Sequence, residues 1–526
     1  MELETSTGIR GVAASGHVET SRAASRILED GGNAFDAVLA GLCAATVAEP
    51  MLVSLGGGGF LVARPQGESP RVYDFFCQTP LRPRPADEID FYPFVADFGW
   101  TTQEFHIGMG SIAVPGVIAG LFEAHRDLGR LPIAAVVQPA VELARNGVTV
   151  NSFQSEVISV LRPIYDATPE AHALYASPED GNRFLEAGER QKFPHLGETL
   201  DQLCREGPDA FYRGELAQKL AEDCAAMGGH LALEDLQAYR VEIRKPVNFD
   251  YRGARISINS PPSLGGGLVA FALSVLDASG FDPAAAGWGS MVHLQSLVRA
   301  MRGANCVRRE FGLDEGCSTD DVEALLAPGV LEQWRQVPLG QLFSRGTTHI
   351  SVADSDGNLA SLTASNGEGC GYLLPGTDIM LNNMLGEEDL NPLGFHRWQP
   401  GKRLASMMSP AVAALPDGRY VALGSGGSNR IRSAVGQVLI NLIDFDMNLE
   451  DAVQAPRVHL EKGKLSMESG FSDEVRRGIA EIVDELEPWG GQNLFFGGVH
   501  AVSLAPDGSL SGFADPRRAG AVSFAD

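Results

Sequence analysis

The segment Gly346-Thr347-Thr348-His349-Ile350-Ser351-Val352 places a hydroxyl residue directly after a glycine, at the mouth of a β-branched run. Cleavage of the Gly346–Thr347 bond would leave Thr347 with a hydroxyl nucleophile and, on the same residue, an α-amine able to act as its base. The chain would then be a precursor. β-Branched pairs also open ordinary strands, so Thr347-Thr348-His349 by itself is equally a plain strand start. A second segment, Leu423-Gly424-Ser425-Gly426-Gly427-Ser428-Asn429-Arg430, is rich in glycine and offers backbone N–H donors. No Lys-Ser/Thr follows it, which argues against a phosphate cradle.

The elements that must carry these residues read as mixed α and β. Thr347 runs into a strand whose hairpin turn is Asp354-Ser355-Asp356-Gly357-Asn358. The first half reads as largely helical. Pro115 suits the first turn of a helix through Ala119 to Leu128, and Pro132 starts another that ends near Asn146-Gly147. Further helical patterns span 215–227 and 292–311, and strand signals lie in 241–249 and 255–259.

A chain of 526 residues has length for about three domains of ~150 residues. No linker, low-complexity tract or repeat divides it, so one interlocked core is expected. The formal charge of −26 and the lack of a basic run argue against nucleic acid as a partner. No stretch reaches the ~20 apolar residues of a membrane span. The seven cysteines (Cys43, Cys77, Cys204, Cys224, Cys306, Cys317, Cys370) are odd in number and scattered, indicating neither a disulfide framework nor a zinc site. With no signal peptide visible, a cytoplasmic location is expected, or a periplasmic one if a signal has been removed.

The order of short motifs resembles the γ-glutamyltransferases, self-cleaving hydrolases with an N-terminal nucleophile. Those motifs are the run from Ala24 to Ala37 broken at Gly31-Gly32-Asn33, then Glu49-Pro50, Gly56-Gly57-Gly58-Gly59-Phe60, Val114-Pro115-Gly116, Gln138-Pro139-Ala140, Leu233-Glu234-Asp235-Leu236 and Ser260-Pro261-Pro262-Ser263. After Thr347 come Pro375-Gly376-Thr377-Asp378 through Asn383, Ser409-Pro410 and Asp515-Pro516-Arg517. None is diagnostic alone; their shared order over nearly the whole chain carries the resemblance.

The resemblance implies an α+β fold, a four-layer αββα sandwich, with residues 1–346 as a large-subunit segment and 347–526 as a small-subunit segment, the two fragments staying associated. It implies acyl transfer from a γ-glutamyl or related amide to Thr347, then to water or an amine, with no metal or cofactor. Ser365 stands where the family has a second threonine supporting the first; a strand serine bonded to backbone is the alternative. Gly427 and Ser428 fall on the two oxyanion positions, where only the N–H matters.

Recognition departs from the pattern. Phe76, in Asp74-Phe75-Phe76-Cys77, stands where the family places a carboxylate-binding arginine. Arg82 and Arg84 lie near enough in sequence to compensate, or are solvated surface residues. Met384 replaces a glutamine, and Glu387 stands for an ammonium-binding aspartate unless it is a solvated acid. Ser406 keeps one hydroxyl of a Ser-Ser pair, and Asn366 sits one residue before a ligand asparagine. The short connection from Glu387 to Ser406 predicts an open cleft and hydrolysis ahead of transfer. Two alternatives remain: an acylase for dicarboxylic side chains of the glutaryl or cephalosporin type, and an unprocessed homologue that only binds a ligand.

Overall fold

The computed structural model describes residues 8–97, 102–313, 316–333, 347–461 and 463–526, so Gly346 and the predicted scissile bond lie outside the described residues. Its centre is the hairpin that follows Thr347. The strands to either side are buried along their whole length, one face against helices and the other against a second sheet.

In chain order the strands of the two sheets are β1 (Gly11–Ser15), β2 (Gly58–Arg64), β3 (Arg71–Phe75), β4 (Glu242–Arg244), β5 (Val247–Tyr251), β6 (Ala254–Ile258) and β7 (Thr348–Asp354). They continue with β8 (Leu359–Ser365), β9 (Ala411–Ala414), β10 (Tyr420–Gly426), β11 (Gly498–Leu504), β12 (Leu510–Ala514) and β13 (Ala521–Ala525). Among the described residues the first sheet runs β13-β1-β7-β8-β2-β3-β4 and the second β12-β11-β10-β9-β6-β5. Segments before and after Thr347 thus contribute strands to both sheets.

Helices α1 (Val18–Glu29) and α2 (Ala34–Ala48) cover the outer face of the first sheet. Gly31, at φ +93°, and an Asn33–Asp36 capping box turn the chain between them. Helices α3 (Leu264–Ala278) and α5 (Arg430–Asp444) cover the second sheet, and α4 (Met291–Glu310) packs against α3, all within one continuous apolar cluster. Four αββα layers result. Among the described residues no helix is long and apolar enough to cross a membrane.

Two expectations change. The region 241–249 is not one strand: it breaks at Lys245-Pro246 into β4 and β5, which belong to different sheets. Proline cannot donate to a ladder, so it marks the crossing. The first half is also less purely helical than its pattern, since β1, β2 and β3 lie within it. The helices of 215–227 and 292–311 form as Glu215–Met227 and Met291–Glu310.

Strand alternation sorts the residues after the nucleophile. Ile350 and Val352 join the cluster under α2. His349 and Ser351 are polar and fully buried, with His349 Nδ1 2.8 Å from Thr363 Oγ1 and Nε2 2.9 Å from Ser351 Oγ. A Cβ at Gly424 would come within 2.3 Å of the His349 ring, so only glycine there lets the sheets approach this closely.

Candidate active site

Thr347, 5% exposed, sits at the open end of β7. Across the gap between the sheets lies the end of β10, so close that a Cβ on Gly426 would stand 2.1 Å from the Thr347 carbonyl oxygen. Past it, Gly427 takes φ +118° and Ser428 φ +52°, a left-handed turn that leads into α5. Among the described residues neither the Gly427 nor the Ser428 N–H is used in a backbone hydrogen bond. Two amides at a turn entering a helix suit a developing oxyanion.

A cavity opens beside Thr347, and Phe76, Ser365, Glu387, Ser406 and Ser428 line it with the threonine. Six of the eight residues singled out from sequence therefore meet at one place. Gly427 is not among the lining residues and directly precedes Ser428, which is. Asn366 does not line the cavity: its side chain is fully buried, and neither amide atom has a hydrogen-bond partner among the described residues. Ser365 Oγ accepts the Gly367 N–H at 2.9 Å. Glu387 is buried at the wall and is not a solvated acid.

The missing arginine is not replaced from its sequence neighbourhood. Arg84 donates to the Cys224, Ala225 and Gly229 carbonyls at 2.9, 2.9 and 3.1 Å, capping the helix Glu215–Met227, and Arg82 is exposed. Phe76 stacks on Phe60 with ring centroids 5.3 Å apart. Its carbonyl accepts Arg403 Nη1 at 2.7 Å and Tyr239 OH at 2.9 Å, while Arg403 Nε also faces Asp74 at 3.3 Å. That guanidinium is engaged behind the cavity wall.

Three residues that sequence reasoning did not select belong to this neighbourhood. Asp389 lines the cavity; its Oδ2 accepts Ser428 Oγ at 3.1 Å and Asn429 Nδ2 at 3.3 Å. The run Glu387-Glu388-Asp389 was its signal: the short 3₁₀ turn Glu388–Leu390 exposes the middle acid and buries its two neighbours. Glu49, capping the end of α2, accepts Thr348 Oγ1 at 2.7 Å and Thr20 Oγ1 at 2.8 Å. Burial pushes its carboxyl up to about 7, against the two hydroxyl donors and the charge of Arg518. Arg518 Nη1 reaches the Thr347 carbonyl at 3.4 Å, and burial brings its guanidinium down to about 10, opposed by Glu368, Asp515 and Glu49. Thr347 is thus held through its own carbonyl and through the hydroxyl of its neighbour.

The arrangement offers a hydroxyl, two backbone N–H groups at the adjoining turn and a cavity beside them for an acyl group. Comparison with known proteins agrees with it. The family model described as gamma-glutamyltranspeptidase matches residues 20–525. The chain is 33% identical to the acylase ACY 1 proenzyme of Pseudomonas sp. (strain V22), over 98% of this chain and 93% of that protein. It is 29% identical to the glutathione hydrolase proenzyme of Escherichia coli (strain K12), over 97% and 90%. Among solved structures, the cephalosporin acylase from Bacillus halodurans matches with a TM-score of 0.84 at 25% identity, covering 99% of this chain and 97% of that one.

Proposed function

Since the chain belongs to the gamma-glutamyltranspeptidase family, we propose that it is an autoprocessing amide hydrolase and acyltransferase whose nucleophile is Thr347, acting on γ-glutamyl or related acyl amides. Processing begins with attack of the Thr347 hydroxyl on the Gly346 carbonyl. The N-to-O acyl shift gives an ester, and its hydrolysis leaves fragments 1–346 and 347–526. Both fragments contribute strands to each sheet, which supports their staying together.

In turnover the freed Thr347 amine takes the hydroxyl proton as Oγ bonds to the substrate carbonyl carbon. The Gly427 and Ser428 N–H groups receive the oxyanion. Collapse breaks the C–N bond, and the ammonium returns its proton to the leaving amine. Water then cleaves the acyl-threonine, or an amine takes the acyl group in transfer. Ser365, bonded to the chain just beyond it, supports the cavity floor. The short wall from Glu387 to Ser406 leaves the ester open to water, so hydrolysis leads.

The single observation that carries this reading is the position of Thr347 against Gly426, with Ser428, two residues on, lining the same cavity. A second reading, an acylase for dicarboxylic side chains, is favoured by Phe76 and by the acylase relatives. Intact-mass analysis, followed by release of aniline from γ-glutamyl and glutaryl anilides by wild type and Thr347→Ala, tests both. A single uncleaved wild-type chain without activity on either would refute the proposal.

A further inference from the structure

The cavity beside Thr347 has an unbalanced lining. Glu387 and Asp389 both face it, whereas no lysine, arginine or histidine is among the described residues that line it. The remaining wall is mostly apolar, with Phe76, Met384, Leu390, Met407, Met408 and Ile431. The nearby guanidinium groups make their hydrogen bonds elsewhere, although the Arg430 charge is felt by Asp389. Arg403 is engaged by Asp74 and the Phe76 carbonyl, and Arg518 reaches the Thr347 carbonyl. Arg430 donates to the Phe495 carbonyl at 2.8 Å and stacks on that ring.

Asp389 has an open demand. It is 8% exposed, its Oδ2 is fixed by Ser428 and Asn429, and its Oδ1 is buried with no hydrogen-bond partner among the described residues. Asn429 is in turn held by Glu461 Oε1 at 3.2 Å. A buried carboxylate oxygen without a donor is costly unless a ligand supplies one. Its tie to Ser428 keeps it one side chain away from the oxyanion position. A cation on the acyl chain satisfies it; an ionised carboxylate entering the same space meets two like charges and no partner.

We propose that this cavity selects a γ-aminoacyl amide, whose acyl chain carries a primary ammonium and no ionised carboxylate, and that Asp389 accepts that ammonium while the acyl carbonyl meets Thr347. This is a γ-glutamyl group without its α-carboxylate, and its hydrolysis releases a γ-amino acid and the leaving amine. The inference rests on Thr347 as acyl acceptor, and it reverses the dicarboxylic alternative, which keeps the carboxylate and drops the amine.

Four matched 4-nitroanilides test it on the processed wild-type enzyme, with spontaneous release subtracted: 4-aminobutanoyl (ammonium only), γ-glutamyl (ammonium and carboxylate), glutaryl (carboxylate only) and butanoyl (neither). The 4-aminobutanoyl compound should exceed butanoyl by about tenfold or more in kcat/KM, as for a charged hydrogen bond, and should exceed γ-glutamyl. Glutaryl should be the poorest. Asp389→Asn should collapse the aminobutanoyl-to-butanoyl ratio, and Asp389→Glu should restore part of it. Glutaryl or γ-glutamyl ahead, or a wild-type aminobutanoyl-to-butanoyl ratio near one, would overturn the inference and leave Thr347 in place. Turnover of none of the four would overturn the acyl-threonine reading itself.

Discussion

One wall of the Thr347 cavity is made chiefly of backbone and the other of side chains. On the nucleophile wall, the Gly426 backbone packs against the Thr347 carbonyl, and Gly427 and Ser428 follow it in a left-handed turn. On the acyl wall, Phe76, Glu387, Asp389 and Ser406 face the same space through their side chains. The first wall tolerates an exchange such as serine at the second oxyanion position, because an N–H survives any substitution but proline. The second is set by side-chain identity: on the proposed reading, Phe76 in place of an arginine changes which charge the cavity accepts. Chemistry and selectivity can therefore diverge independently in one fold.

The contrast predicts a gradation of effects. Thr347→Ala removes both processing and turnover, so a denaturing gel should show one full-length chain, and activity should fall by several orders of magnitude. Gly426→Ala comes next. Its methyl group would lie 2.1 Å from the Thr347 carbonyl oxygen, and the displacement should cost about 10²-fold in kcat while far-ultraviolet circular dichroism stays native. Near-normal kcat would show that the two strands are not in registry for catalysis.

Glu49→Gln probes the support of the nucleophile wall. Burial raises the Glu49 carboxyl to about 7, from an unfolded value near 4.3. Between those values the folded chain holds a proton that the unfolded chain releases, so the Glu49 contribution falls as pH rises through the window. The glutamine variant has no such slope. Its stability relative to wild type should improve from pH 5 to pH 8 by on the order of 3 kcal/mol, read from denaturant unfolding. A constant offset at both pH values would mean that Glu49 does not titrate there.

Arg84→Ala should do least. Its guanidinium caps a helix, so kcat/KM should be unchanged on every acyl amide, with a stability loss of about 1 kcal/mol. A selective loss on carboxylate-bearing substrates would place Arg84 at the acyl wall.

The nucleophile wall was largely legible in the sequence. Thr347 before a strand and Gly427-Ser428 before Arg430 are local patterns, and motif order fixed their pairing. The four-layer architecture came from the same order; periodicity alone gave mixed α and β. Strands such as Gly11–Ser15 and Gly58–Arg64 are buried on both faces over nearly their whole length, so they lack the alternation that marks a half-exposed strand. The supports of the site were illegible for a different reason. Glu49 meets Thr348 across 299 positions and Arg518 meets Thr347 across 171, separations that no local pattern encodes. Asp389 was hidden by proximity: its neighbour Glu387 matched the motif, and only the turn shows that both acids point inward while Glu388 does not.

The central claim is that one residue is both the new terminus and the acyl acceptor. The most direct measurement is peptide mapping by mass spectrometry after quenching the enzyme with a slowly hydrolysed acyl anilide. The account predicts a small fragment beginning at Thr347, with the acyl mass on that first residue. An acyl label elsewhere, for instance on Ser433, whose hydroxyl lies 2.7 Å from His459 Nδ1, or a fragment beginning at another residue, would contradict it.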